Sequence, residues 1–286
     1  MFLLGLFVFL QAASVSANLR VETLQMPAWL ERAGVSRPLT PGADLQAGDV
    51  LRTGGDARVV LRLDEGSQVK LGENAQFSIE QAAVEDDQWG LFRGLFEVVS
   101  GAFRFTTGKL GAQRRRDVNF RIGLTTAGIR GTDIWGRSTP EQDLVCLIEG
   151  DIEISRAATR LQMNTPLSVF IAPRAGEPQP LSGVDPVQLA EWAQETEPQT
   201  GSGLLRLEGK WSLQLAALRS VQGAQSLVAQ LRDAGYAAGV VPADINGQSW
   251  QRLVIVGFVS EADARAAGDQ LRDRFNLPPG WVTRLP

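Results

Sequence analysis

The chain of 286 residues contains no histidine and one cysteine, so its chemistry must come from carboxylates, guanidinium groups, amides and hydroxyls. Without histidine, Ser-His and Cys-His nucleophilic catalysis and His-ligated zinc are excluded. Cys146 has no internal disulfide partner, and its neighbours Leu144, Val145, Leu147 and Ile148 make it a small hydrophobe in a strand. Paired carboxylates remain able to do general acid and base work. The acidic runs are Asp64-Glu65, Glu85-Asp86-Asp87 and Glu149-Gly150-Asp151, each set between alternating apolar runs, which reads as turn punctuation. No catalytic residue, metal or cofactor is assigned. Arg114-Arg115-Arg116 is followed by Asp117 and reads as a solvated turn. With 28 basic and 32 acidic residues the net charge is −4, which argues against a general nucleic-acid binder.

The elements that would position such groups fall into two kinds. From Leu39 to Ala172 the chain is a series of short alternating runs separated by Gly, Asp and Asn, among them Asp49–Thr53, Ala57–Leu63, Gln68–Leu71 and Gln76–Glu80. Such a series predicts an all-β sandwich or a solenoid-like sheet stack. From Trp211 to Pro286 the pattern changes to strand, helix, strand, strand, helix, strand. Trp211–Ala216 alternates, Ala224–Ala234 has helical spacing and stops at Gly235, and Asn246-Gly247 marks a hairpin leading into Trp250–Phe258. Glu261–Phe275 is a second amphipathic helix, and Trp281–Leu285 a last strand. The fold class is therefore α+β in two domains, the second an antiparallel sheet backed by two helices.

The ends of these units follow from composition. Phe2–Leu10 is apolar and leads into a small-residue stretch ending Val15-Ser16-Ala17, a secretory signal over 1–17 with cleavage after Ala17. No Lys or Arg precedes the apolar run, and about nine apolar residues are too few for a helix that needs roughly 20 to span a bilayer. A mature chain in the periplasm without a transmembrane anchor is expected. An N-terminal segment over 18–38 precedes the β domain at 39–172. The stretch 173–206, rich in Pro and Gly apart from a short helix near Val187–Glu195, is read as a linker that tethers the domain at 207–286.

The C-terminal residues carry a resemblance. Trp-Ser-Leu-Gln-Leu-Ala (211–216), Ala-Gln-Ser-Leu-Val-Ala-Gln-Leu-Arg-Asp-Ala-Gly-Tyr (224–236), Arg-Leu-Val-Ile-Val-Gly-Phe (252–258) and Ala-Asp-Ala-Arg-Ala-Ala-Gly-Asp-Gln-Leu (262–271) resemble, in order and spacing, the SPOR domain of bacterial envelope proteins. The resemblance implies binding of peptidoglycan, in particular glycan strands stripped of stem peptides at division septa. It puts Gln214 at the family's first-strand glutamine. With Trp211, Leu213 and Leu215 turned to the helices, Ser212, Gln214 and Ala216 face the ligand. On the third strand Trp250, Arg252, Val254 and Val256 share one side, and Gln251, Leu253 and Ile255 the other. The second set is assigned to the glycan, because Leu253 and Ile255 sit where the family carries polar contacts.

The β region is similar to a FecR-type domain, on Ala47-Gly48-Asp49-Val50-Leu51-Arg52-Thr53-Gly54, Gly66–Gly72, Gly101–Phe105 and above all Thr125-Thr126-Ala127-Gly128-Ile129-Arg130-Gly131-Thr132-Asp133-Ile134. Its two glycines permit a tight turn, while Arg130, Thr132 and Asp133 either bond within that turn or contact a ligand or partner. The two resemblances together imply a non-enzymatic periplasmic protein that binds peptidoglycan, with a second contact through the β domain to divisome or envelope regulatory proteins. An envelope signal sensor acting through the β domain is the alternative, and a carboxylate-dependent glycan-cleaving enzyme a third possibility.

Overall fold

The computed structural model describes residues 15–16, 19–84, 92–108 and 116–285. The signal segment expected at 1–17 lies outside the described residues except for Val15–Ser16. Glu85-Asp86-Asp87, Arg114 and Arg115 also lie outside them.

The β region is two sheets that share one strand. In space the first runs Val35–Pro38, Ala28–Arg32, Val50–Thr53, Gln76–Val84, Phe92–Thr106, Arg116–Ile122, Thr125–Ile129, Ile152–Arg156, Thr159–Met163. The second runs Leu19–Gln25, Arg58–Leu63, Gln68–Leu71, Phe92–Thr106, Asp133–Ser138, Gln142–Glu149, Ser168–Pro173. These ladders are antiparallel except that of Phe92–Thr106 with Arg116–Ile122. The shared strand passes from one sheet to the other at Gly101, whose φ of +86° favours glycine and where a Cβ would stand 2.6 Å from Ala75 Cα. Between the sheets lie fully buried aromatic rings, with Phe120 centred 5.2 Å from Phe96, 5.2 Å from Phe103 and 5.0 Å from Phe105.

Strands Leu19–Gln25, Ala28–Arg32 and Val35–Pro38 belong to these sheets, so the stretch read as a separate N-terminal segment is structurally part of the β unit. Its alternation is short, and a two-residue bend at Met26-Pro27 divides it.

The C-terminal unit orders its strands Gly239–Ile245, Gln248–Phe258, Trp211–Leu218, Trp281–Arg284. Helices α2 (Val221–Asp233) and α3 (Glu261–Phe275) cover one face, burying Val228, Leu231, Ala264 and Leu271 against Leu213, Leu215, Leu253 and Ile255. Local chemistry fixes the helix ends. Ser220 caps α2 through Gly223 N–H, Ser260 caps α3 through Asp263 N–H, and Asn276 ends α3 in the left-handed conformation.

The 173–206 stretch is not a loose tether. It contains α1 (Pro186–Thr196), packed on the β unit, and the strand Leu204–Arg206. That strand pairs with Leu19–Gln25 on one edge and, through Leu205, with Phe258 on the other. The second β sheet thereby continues into the C-terminal sheet. At the same junction Trp29 Nε1 donates to the Asp233 carbonyl at 3.0 Å, and Ala28 N–H to the Gly235 carbonyl at 3.1 Å. Gly235 has φ +86°, and a Cβ there would meet the Trp29 ring at 2.7 Å. The partners of this three-residue strand lie far off in sequence, so composition alone signals only a flexible stretch.

Candidate functional site

The face of the C-terminal sheet away from α2 and α3 is the candidate site, and the register of its central pair decides what it presents. Ser212 lies across from Val256, Leu213 from Ile255, and Gln214 from Val254. Directly paired residues share a face of the sheet. Leu213 is 1% exposed under the helices, so Ile255 points there too, along with Leu253 and Gln251. The sequence assignment of Gln251, Leu253 and Ile255 to the glycan face is therefore reversed: all three are buried on the helix side.

A register shift between Gln214 and Ala216 adds a second correction. Beyond it Ala216 lies across from Leu253 and Ala217 from Arg252, so Ala216 joins the helix side. A β-bulge inserts one residue and so flips the alternation. Of the six predicted residues, Ser212 and Gln214 remain on the open face.

Around them the structure gathers Arg252, Val254 and Val256 from the Gln248–Phe258 strand, Val241 from its hairpin partner, and Trp281 and Thr283 from the last strand, lining a groove of about 470 Å³. Trp281 is 69% and Val256 53% exposed. Among the described residues the Arg252 Nε is buried without an acceptor, and no hydrogen bond engages the Gln214 amide. The groove thus combines an amide, hydroxyls, one guanidinium and apolar platforms, which can hydrogen-bond and stack. All its walls come from the C-terminal unit, and neither the connector nor the β unit covers it. A usable signal for the correct face existed in the sequence: a strand with arginine on one side and leucine and isoleucine on the other turns the arginine outward.

In the β unit the Arg130-Gly131-Thr132-Asp133 stretch is the turn between Thr125–Ile129 and Asp133–Ser138. Asp133 accepts bonds of 3.0 and 2.7 Å from Arg104, and these bonds, together with the carboxylate's charge, raise the Arg104 pKa against the opposing effect of burial. Thr132 is 3% exposed, and its backbone exchanges bonds of 2.9 to 3.0 Å with Thr107. Gly131 has φ +79°. Arg130 stands exposed at the tip, with no hydrogen bond or ion pair among the described residues. Thr132 and Asp133 therefore build the turn, and Arg130 is the member of the three free to meet a partner.

Among the described residues no cluster of His, Cys, Asp or Glu is arranged to hold a metal ion, and no helix is long and apolar enough to cross a membrane.

These features define a β-sheet module joined to a small α/β module with an open sheet face. Residues 49–153 match the family model described as FecR protein, and residues 207–284 match that of the SPOR domain, so the chain carries a FecR module followed by a SPOR domain. SPOR domains bind peptidoglycan, and FecR-like domains interact with regulatory partners. Two crystal structures of a candidate anti-sigma factor from Parabacteroides distasonis ATCC 8503 are also similar, each at 12% identity and a TM-score of 0.41. The match covers 79% of this chain and 92% of that one in the first, and 82% and 97% in the second. Comparison with curated proteins gives no match.

Proposed function

We propose that this is a non-enzymatic periplasmic protein that binds peptidoglycan glycan strands, those stripped of stem peptides at the division site, through the groove of its SPOR domain. The uncovered groove carrying Ser212, Gln214 and Arg252 is the observation that supports this reading most directly. A saccharide offers hydroxyls to the amide and C–H faces to Trp281 and the valines. The FecR module makes a second contact with an envelope regulatory or division protein, and the exposed Arg130 is the residue of its signature turn best placed for it. Binding to the wall raises the effective concentration of that contact.

The test is co-sedimentation of the full chain with purified sacculi, with and without enzymatic removal of stem peptides. Retention should rise after peptide removal and fall for Gln214→Ala and Arg252→Ala. Equal retention of all three proteins, or indifference to peptide removal, defeats the glycan reading. Septal bands from a fluorescent fusion test the location separately.

A further inference from the structure

The outward face of the second β sheet carries a patch that the glycan groove does not use. In one row across adjacent strands, Arg104 lies between Lys70 and Trp135, and Trp135 lies beside Cys146. Arg137 follows Trp135 on the same face of the same strand. Trp135 and Cys146, with Ala102, Leu144 and Val169, form an apolar cluster separate from the main core. The patch is thus apolar at its centre and cationic along one side.

Helix α1 sits on it. Trp192 stacks on Trp135 with centroids 5.0 Å apart and planes at 8°, and Leu189 packs beside it. Glu195 accepts from Arg137 at 3.0 Å, while Glu197 accepts from Lys70 at 2.7 Å and Arg104 at 3.4 Å. Gly72 makes room for the helix end, since a Cβ there would stand 2.6 Å from the Glu195 carbonyl.

The fit is incomplete. Trp135 is fully buried, yet its Nε1 meets no acceptor among the described residues. Such a donor loses its bond to water and gains none in exchange. Burial also pushes the Glu195 carboxyl up despite Arg137. With 11 residues, α1 falls below the roughly 12 to 15 that an isolated helix needs in water. Thr196 is its one fully buried residue, and Val187 is 69% exposed. Its flanks are held, by the pairing of Ser182–Gly183 with Ser168 and Val169 upstream and by Asp263 on Gly201, Gly203 and Leu204 downstream, so opening is confined to α1 and the residues beside it.

We propose that this face is a docking groove for an acidic amphipathic helix of a partner protein, and that α1 is its built-in competitor, released when the partner helix takes its place. The groove selects an aromatic side chain to cover Trp135, carboxylates to meet Lys70, Arg104 and Arg137, and an acceptor for Trp135 Nε1 that α1 does not supply. Charge complementarity sets the sign of the partner. The tethered α1 keeps the groove closed until a better-fitting helix arrives.

The probe is a labelled synthetic peptide of residues 184–198, titrated against the full chain and against the full-chain Glu195→Lys/Glu197→Lys variant. Those substitutions turn attraction into repulsion in the tethered helix alone. The opened variant should bind the peptide at least about tenfold more tightly than the wild type, where α1 competes at high effective concentration. Adding Gly72→Ala to the opened variant, or Glu195→Gln and Glu197→Gln to the peptide, should remove that binding. Hydrogen exchange on the same samples reports the state of α1. Freely exchanging α1 amides over a protected sheet, without peptide binding, overturn the proposal. So do α1 amides that exchange as slowly as the sheet in every variant. Should the charge reversal unfold the sheet, Trp192→Ala in the full chain opens the groove for the same two readouts.

Discussion

Asp263, in the first turn of α3, accepts the backbone N–H of Gly201 at 2.7 Å. Through the same oxygen it accepts those of Gly203 at 3.2 Å and Leu204 at 3.1 Å. A fully buried carboxylate thus gathers the glycine-rich end of the connector and seats the strand that joins the two sheets. The stretch that looks most flexible by composition is fixed by one side chain some sixty positions away.

Asp263→Ala leaves three N–H groups, those of Gly203 and Leu204 buried and that of Gly201 partly so, without their acceptor and should cost about 3 kcal/mol, the range for breaking a buried charged network. Urea unfolding measures the loss. Limited proteolysis should show new cleavage near 197–203 while the peptides of α2 and α3 stay protected. An unchanged cleavage pattern would show that the connector is held by other contacts.

The two faces of the C-terminal sheet should separate stability from binding. Leu253→Ala removes a fully buried side chain on the helix side and should cost about 2–5 kcal/mol. Gln214→Ala, on the open face, should stay within about 0.5 kcal/mol of the wild type while reducing retention on sacculi. Thermal unfolding and co-sedimentation of both variants check the assignment, and the opposite pattern would restore the original facing.

Asp143 is a second buried carboxylate, and this one is paired with two arginines. Its carboxylate is fully buried, lies 2.8 Å from Arg156 and 2.9 Å from Arg174, and accepts Leu124 N–H at 2.9 Å. Asp143→Ala removes the counter-charge of Arg156 and Arg174, which keep only neutral acceptors, among them those at Pro173, Thr139 and Ser138, and should cost about 3–5 kcal/mol, whereas exposed Arg130→Ala should change stability by less than about 0.5 kcal/mol. Urea denaturation of the two variants tests the contrast.

Burial, with a smaller contribution from the negative charge of Asp133, pushes the Cys146 thiol from its ordinary 9.0 up to about 12. At pH 8 the thiol should stay protonated and resist a thiol reagent in the native protein, reacting only on unfolding. The folded-state value is the raised one, so the contribution to stability is complete below about pH 9 and is lost as pH rises toward about 12. Labelling kinetics with and without denaturant test the first point. Cys146→Ala, which should flatten that alkaline limb, tests the second.

The sequence by itself determined the elements of both modules. Alternation marked the strands, helical spacing marked α2 and α3, and Asn246-Gly247 marked the hairpin, because these signals act between residues a few positions apart. It also excluded histidine chemistry by count, and it carried the FecR and SPOR signatures that the family models match. Register across long loops was beyond its reach. Which side of the Gln248–Phe258 strand meets water depends on its pairing with Trp211–Leu218, and a single bulge after Gln214 moved Ala216 to the other face. The joining of the two sheets through Leu204–Arg206, and the seating of α1 on Trp135, likewise rest on partners more than fifty positions away. Tertiary structure decided those features because they are settled by the packing of surfaces that exist only once the separate elements have formed.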